Sequence, residues 1–267
     1  MKKILLVFML VFSMNVFTAP QSEDGLIVQK LKQFGVNQKS IDLYKEAKML
    51  PFSSSKFEET ALKAIKADPK NYYALDDLGI YYRQVKNNPE KAIEYYKKSI
   101  AVNPRNPFPY NSMGIAYTYM NDFANAEKTF KQLIEAMPDH PEGYYGLTRV
   151  YLQQQEYNKA IDSAEKAKIT YLNLDEKKYF EEAAMKKQYL LDCELLISFS
   201  NYGLKNYQKV VDNFFDVLPE LRKTRPEIIS DFAGVAYAAN QEIKKTDTKK
   251  FEENNKKFEK EKIVFGN

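Results

Sequence analysis

Apolar and small residues recur three and four positions apart along most of this chain, with charged and amide side chains between them. In YLQQQEYNKAIDSAEKA, Tyr151 to Ala167, the alanines at 160, 164 and 167 stand at i, i+4 and i+7, on one face of a helix. YMNDFANAEKTF, Tyr119 to Phe130, and VKNNPEKAIEYY, Val85 to Tyr96, carry the same cadence. Such spacing predicts amphipathic helices with a narrow, small-residue face. Only 9 Gly and 11 Pro interrupt 267 residues, which fits a mainly helical chain.

The pattern has a longer period. Gly79 to Gly114 is 35 positions and Gly114 to Thr148 is 34. Tyr82, Tyr117 and Tyr151 are spaced 35 and 34, and Ala92, Ala126 and Ala160 are spaced 34 and 34. Tyr96, Phe130 and Ala164 follow those alanines by four, and Pro69, Pro104 and Pro138 are spaced 35 and 34. The one-residue excess falls at KNNPEK, in an expected turn where insertion is cheap.

With this residue order and period, the chain resembles the tetratricopeptide-repeat family over roughly residues 38 to 174. The resemblance implies an all-α fold: a right-handed superhelical solenoid of antiparallel helix pairs, A then B, with degenerate units at its ends. Gly79 and Gly114 would let helix A approach helix B, the alanines would do the same from helix B, and the tyrosines would fill the wider gap. The prolines would end each helix B, because proline donates no helical hydrogen bond. Thr148 in place of glycine and Leu172 in place of proline suggest that the regular array is ending.

Residues 38–174 therefore divide into four units, the first degenerate, with its helix A near Ser40 to Leu50 capped by Ser40 and cut by Pro51. Residues 20–37 form a lead segment. Degenerate helical units follow over 175–240, where Tyr207 and Val210 echo Tyr157 and Ala160 at a distance of 50, so an insertion lengthens a helix or adds a turn. In PEIISDFAGVAYAA, Gly234 and Tyr237 stand where a helix A carries its glycine and tyrosine. Residues 241–267 read as a charged capping helix or tail, with Phe251 and Phe258 seven apart.

The first 19 residues read as a secretory signal peptide. Lys2 and Lys3 precede an apolar run from Ile4 to Phe12, too short for the ~20 residues of a membrane span. An uncleaved anchor is the alternative. The expected location is periplasmic or otherwise extracytoplasmic, and Cys193, the single cysteine, leaves such a chain without an internal disulfide. A net charge of +4, part of it from Lys2 and Lys3, is not the basic stripe of a nucleic-acid binder.

No catalytic, metal or cofactor constellation stands out, so no enzyme and no cofactor is expected. His140, the single histidine, lies in PDHPEG and reads as a surface turn residue. Cys193 reads as a buried thiol, and Asp76–Asp77 as a solvated helix face. Function is expected on the side of the A helices turned away from the B helices, which in the resembled fold lines a concave groove. The same offsets in successive units select Tyr73, Asp76, Asp77, Ile80 and Arg83, then Phe108, Asn111, Ser112, Ile115 and Tyr119, then Tyr145, Arg149 and Leu152. Some members of the family clamp a partner's C-terminal carboxylate with Lys, Asn and Arg. Asp76 and Asp77 would repel such a group, so a peptide with apolar and basic residues fits better. The expected function is a non-enzymatic adaptor of the cell envelope that binds a protein or peptide. The alternatives are a structural subunit contacting partners by its convex face or ends, and a module binding a glycan or other polymer.

Overall fold

The computed structural model describes residues 24–176 and 179–263; the expected signal peptide and the last four residues lie outside them. Among the described residues there are thirteen α-helices and one short 3-10 helix. They are α1 (Asp24–Gln33), α2 (Gln38–Lys48), α3 (Ser55–Ala67), α4 (Tyr72–Gln84), α5 (Pro89–Val102), α6 (Pro107–Tyr119) and α7 (Phe123–Ala136). Then come α8 (Glu142–Gln153), α9 (Tyr157–Leu172), α10 (Phe180–Gly203), α11 (Tyr207–Thr224), the 3-10 turn Pro226–Ile228, α12 (Ile229–Lys244) and α13 (Thr248–Lys260). The fold class is all-α, a solenoid of tetratricopeptide-like helix pairs. The described chain forms two compact units, 24–146 and 147–263, divided within α8.

The repeat is written first in the helix ends. Asn37, Asn71 and Asn106 precede α2, α4 and α6, and their side chains accept the backbone N–H of Ser40, Ala74 and Phe108. Ser54, Asn88 and Asp122 do the same for α3, α5 and α7. A cap of this kind satisfies one of the amide donors a helix start leaves open. Ser40, expected as a cap, is instead buried inside α2, and its hydroxyl donates to the Ala64 carbonyl at 2.7 Å.

Helix A to helix B turns share a left-handed residue: Asn87, Asn121, Gln155 and Lys205, with φ of 49°, 57°, 60° and 63°. In three of them the amide three residues past the helix, at Asp122, Glu156 or Asn206, donates to a carbonyl five positions back. At α4 the donor is Asn88 and the acceptor Tyr82, six positions back at 2.8 Å, so the extra residue does lie in that turn. The B helices stop before their prolines for a steric reason. Asp68 takes an extended backbone conformation, and Asn103 and Met137 likewise leave the helical region, which a residue preceding proline disfavours.

In the first unit α2–α3, α4–α5 and α6–α7 pack as pairs, and α4 also touches α6. The small residues act as expected. A Cβ on Gly79 would lie 2.2 Å from the Tyr96 ring, and one on Gly114 would lie 2.4 Å from the Phe130 ring. Phe130 is also met by Gly146, where a Cβ would lie 2.1 Å away, so its ring packs closely against two glycines. Ala92 and Ala126 are fully buried beside these rings. The lead segment is helical over α1, which buries Leu31; with Val36 it packs into the Ile41, Tyr44 and Ala64 cluster.

The second unit is built from longer helices. α9 has 16 residues and α10 has 24, against 14 for α5 and 13 for α4 and α6. The insertion is thus largely helical and lies before the turn at Lys205. Gly203 takes over the packing role, since a Cβ there would lie 2.3 Å from the Tyr157 ring. Gly234 does not: nothing lies within 4 Å of its would-be Cβ. α12 packs through Phe232, Ala233, Val235 and Ala236, which turns Gly234 to solvent. α13 buries Phe251, Asn254 and Phe258. Asn254 donates to Asn240 Oδ1 at 2.9 Å and to Gln208 Oε1 at 3.1 Å, tying α13 to α12 and α11. Cys193 is buried and forms no disulfide.

Candidate functional site

The strip selected by repeat offset is seen best on α4 and α6 of the first unit. Tyr119, at the end of α6, is 67 % exposed. Tyr73, Asp77, Ile80, Arg83, Phe108, Asn111 and Ile115 are half-buried. Asp76, Ser112 and Tyr145 are buried, so a partner reaches them only past their neighbours. Arg149 and Leu152 belong to the second unit, where Leu152 is buried and Arg149 is half-buried. There Asp192 lies 3.2 Å from Arg225. Burial raises the Asp192 carboxyl, while Arg225 and then Arg149 draw it down. The Arg149 charge is therefore partly engaged within its own unit.

Asp76 and Asp77 are not a solvated face. Successive helical residues point ~100° apart, and these two face different neighbours. Asp77 accepts from Tyr44 Oη at 3.0 Å and Lys48 Nζ at 3.3 Å, both on α2. Asp76 turns toward α6, where Asn106 Nδ2 donates to its Oδ2 at 2.7 Å. Burial raises both carboxyls above the ordinary carboxylate range. For Asp76 the nearby Ser99 hydroxyl and the Asn106 amide oppose that rise, and the neighbouring Asp77 charge adds to it.

Among the described residues, five buried side-chain atoms have no hydrogen-bond partner: Asp76 Oδ1, Arg83 Nε, Tyr96 Oη, Asn111 Oδ1 and Gln154 Oε1. The first four lie on α4, α5 and α6. Burial pushes the Tyr96 hydroxyl up to about 12, with Arg83 and Ser112 pulling it down and Asp76 adding to the rise. The Arg83 guanidinium and the Ser112 hydroxyl thus approach Tyr96 without reaching hydrogen-bond geometry. Sequence reasoning had left Tyr96 to the scaffold. The clue was there: Tyr96 stands where the next unit has Phe130, and the hydroxyl is the whole difference.

The outer faces of the B helices are chemically different. They carry paired charges such as Lys63–Glu59 at 2.7 Å, Lys131–Glu127 at 2.6 Å and Lys166–Asp162 at 2.8 Å. Around α7 that face is Ala124, Glu127, Lys128, Lys131, Gln132 and Glu135. Exposed ion pairs of this type add little stability and offer no apolar anchor. His140 is fully buried rather than a surface residue, and its Nδ1 accepts the Glu142 amide at 3.3 Å. Among the described residues, no group of three His, Cys, Asp or Glu side chains is placed to hold a metal ion. No described helix is long and apolar enough to cross a membrane.

Helix pairs of this geometry define a class, the helical-repeat proteins, and comparison with known proteins narrows it. The tetratricopeptide-repeat family matches residues 77–106 and 117–168. The chain thus carries tetratricopeptide repeats over these residues. It is 31% identical over 107 residues to the UDP-N-acetylglucosamine--peptide N-acetylglucosaminyltransferase of Giardia intestinalis, covering 40% of this chain and 7% of that one. It is 34% identical over 86 residues to the photosystem I assembly protein Ycf3 of Rippkaea orientalis, covering 32% of this chain and 48% of that one. The chain thus spans less than half the length of these relatives. Among solved structures, PilW, a type IV pilus biogenesis factor, superposes with a TM-score of 0.53 at 18% identity, over 75% of this chain and 84% of that one. MamA from Desulfovibrio magneticus superposes at 0.51 and 15% identity, over 71% of this chain and 99% of that one. These superpositions establish the fold. Repeats of this kind support a protein-interaction scaffold.

Proposed function

We propose that the protein is a non-enzymatic adaptor of the cell envelope that binds a protein or peptide partner along the groove side of its A helices. The observation that carries this reading is the contrast between faces. On α4 and α6, Ile80, Phe108, Ile115 and Tyr119 leave apolar surface accessible next to Arg83, whereas the B helices turn charge pairs outward. Aromatic side chains and Arg are the residue types that dominate binding energy at interfaces. The paired Asp77 and the buried Asp76 leave less free negative charge than the sequence suggested, so the partner need not be basic.

The envelope location rests on Lys2, Lys3 and the apolar run from Ile4 to Phe12. N-terminal sequencing of the native protein tests it, with a mature start near residues 19 to 23 expected; an intact Met1 in a soluble cytoplasmic fraction refutes it. The groove is tested by affinity capture from the native envelope, followed by titration of the captured partner against variants. Tyr119→Ala should weaken binding by about 2 kcal/mol, roughly thirtyfold, with melting near wild type. Glu165→Ala, on the exposed face of α9, should leave it unchanged. The opposite outcome would favour a structural subunit that docks by its outer face.

A further inference from the structure

We propose that the cleft between α9 and α11, on the B-helix side of the second unit, docks a basic segment of a protein partner. Its lysine or arginine heads would sit on the edge formed by Asp212 and Asp216. The cleft is separate from the A-helix groove, and the case for it does not use that groove.

The space comes first. α9 and α11 both pack against α10, and an open trough of about 580 Å³ runs between them. Ile161 and Glu165 line it from α9, Asp212 and Asp216 from α11, and Glu194 and Ile197 from α10. Ile161 is half-buried and Ile197 is buried, so an apolar strip lies beside the acids. A side chain with an aliphatic stem and a charged head suits such a mixture.

The sign of the charge follows from how the carboxylates are paired. On the B helices of the first unit an acid stands four residues from its lysine, as in Lys63–Glu59 and Lys131–Glu127. α11 departs from this. Asp212, Asp216 and Glu220 stand at i, i+4 and i+8, a run of like charges on one face, which destabilises a helix. Lys257 of α13 reaches Asp212 at 3.5 Å and Lys187 of α10 reaches Glu220 at 3.9 Å. Asp216, exposed between them, makes no ion pair among the described residues. Lys209 also lines the trough, but about two turns before Asp216 on α11.

The chain itself shows how a cation sits here. Lys168 of α9 places its ammonium 2.6 Å from Glu194 and 3.3 Å from Glu165, two of the acids that line the trough. Only 21 % of its side chain is exposed, so its stem is covered and its head is shared between α9 and α10. Asp212 and Asp216 form a second pair of acids, about 6 Å apart along α11. No lysine of the chain bridges that pair, and Lys257 touches Asp212 alone. A single small cation does not fit the arrangement, because no three acids among the described residues converge on one point. Acids strung along a trough match charges strung along a chain. In an extended segment alternate side chains share a face about 6.6 Å apart, close to the spacing on α11. Basic residues at i and i+2 are therefore the expected pattern.

The test uses the full mature chain, isotope-labelled, at low salt, where charge pairing at a surface is least screened. The probes are acetyl-Ala-Ala-Arg-Ala-Arg-Ala-Ala-N-methylamide and its counterparts with Gln or Glu in place of both Arg. The Arg peptide is expected to bind about fivefold tighter than the Gln peptide, or better, and to shift the Ile161, Ile197 and Asn213 resonances. Asp212→Asn combined with Asp216→Asn should bring that preference below about twofold. Because the pair of changes removes like-charge repulsion, it should not lower the melting temperature, which separates lost binding from lost fold. Glu90→Gln combined with Glu135→Gln, at exposed acids of α5 and α7, changes the net charge equally and should leave the preference intact. Equal binding of the Arg and Gln peptides overturns the proposal. An equal loss in the Glu90 and Glu135 variant also overturns it, since the attraction is then to net charge and not to the cleft. Shifts confined to α4 and α6 overturn it by placing the basic segment in the groove. If Mg²⁺ alone gives the same shifts and displaces the peptide, the acids serve a metal ion and the proposal falls. The groove reading survives the first, second and fourth of these results, because it is measured separately with Tyr119→Ala.

Discussion

Replacing Gly114 by Ala tests the packing argument at its narrowest point. A Cβ at Gly114 would lie 2.4, 2.6 and 2.9 Å from three carbons of the Phe130 ring. Carbon atoms sit comfortably at ~3.5–4.0 Å, so the ring would have to withdraw by about 1 Å. Its freedom to move is limited, because the ring also packs closely on Gly146, where a Cβ would lie 2.1 Å from it. Overpacking of this kind costs about 1–3 kcal/mol, toward the upper end for a pinned ring. Alanine's higher helix propensity returns about 1 kcal/mol. The net expectation is a loss of about 1–2 kcal/mol.

Gly234 supplies the control. It has the same place in the sequence motif but an empty neighbourhood, so Gly234→Ala should stabilise by about 0.5–1 kcal/mol. Phe130→Leu supplies the mechanism. It removes the ring, so Gly114→Ala should become neutral or favourable in that background, with a coupling of at least about 1 kcal/mol. The assay is urea unfolding of the four variants followed by circular dichroism, with hydrogen exchange of α6 and α7 to localise the effect. If Gly114→Ala is as stable as Gly234→Ala, or if the cycle shows no coupling, the assignment of glycine as the seat of an aromatic ring is wrong.

Asp76→Asn should stabilise the fold by about 1–2 kcal/mol at neutral pH, since the acid is buried with one oxygen unpaired. Because burial raises its folded pKa, wild type binds that proton more tightly when folded and loses stability as pH rises through the unfolded value of about 3.9 toward the folded one. The gap between variant and wild type should therefore be wider at pH 7 than at pH 4 in urea unfolding, and a constant gap would refute the argument. At the other end of the chain, Asn254→Leu should strip partners from Asn240 and Gln208 at a cost of about 1–3 kcal/mol. Hydrogen exchange should then show α13 losing protection while α4 and α5 keep theirs, as expected of nearest-neighbour stability in a repeat array; unchanged protection of α13 would refute it.

The features legible in the sequence are those that a local rule imposes. Proline stops a helix whatever surrounds it, and so the ends of α3, α5 and α7 fall two residues before Pro69, Pro104 and Pro138. Rotation of a helix about its own axis is a different kind of fact. Gly234 matches its repeat position, yet α12 is turned so that its neighbours pack and it does not, with the Asn240–Asn254 contact holding that rotation. Asp76 and Asp77 were misread for the same reason. A pair of acids in sequence looks solvated, but each faces a helix from a different neighbouring pair, and burial follows from that stacking.

His140 makes the point in its sharpest form. Within PDHPEG it has every mark of a surface residue, yet it is fully buried. Asn37, Asn71, Asn106 and His140 are spaced 34, 35 and 34, so they occupy one recurring position. At Asn106 the side chain accepts the amide two residues on at 3.3 Å, and at His140 the imidazole Nδ1 accepts the amide two residues on at 3.3 Å. The histidine thus serves as the cap of α8 where the earlier units use asparagine. An imidazole whose Nδ1 accepts a hydrogen bond carries its ring proton on Nε2. Glycines, prolines and alanines mark the period by their size and backbone chemistry; this cap shares that period, but Asn and His both fill it, and only the hydrogen bonds reveal that they are one position.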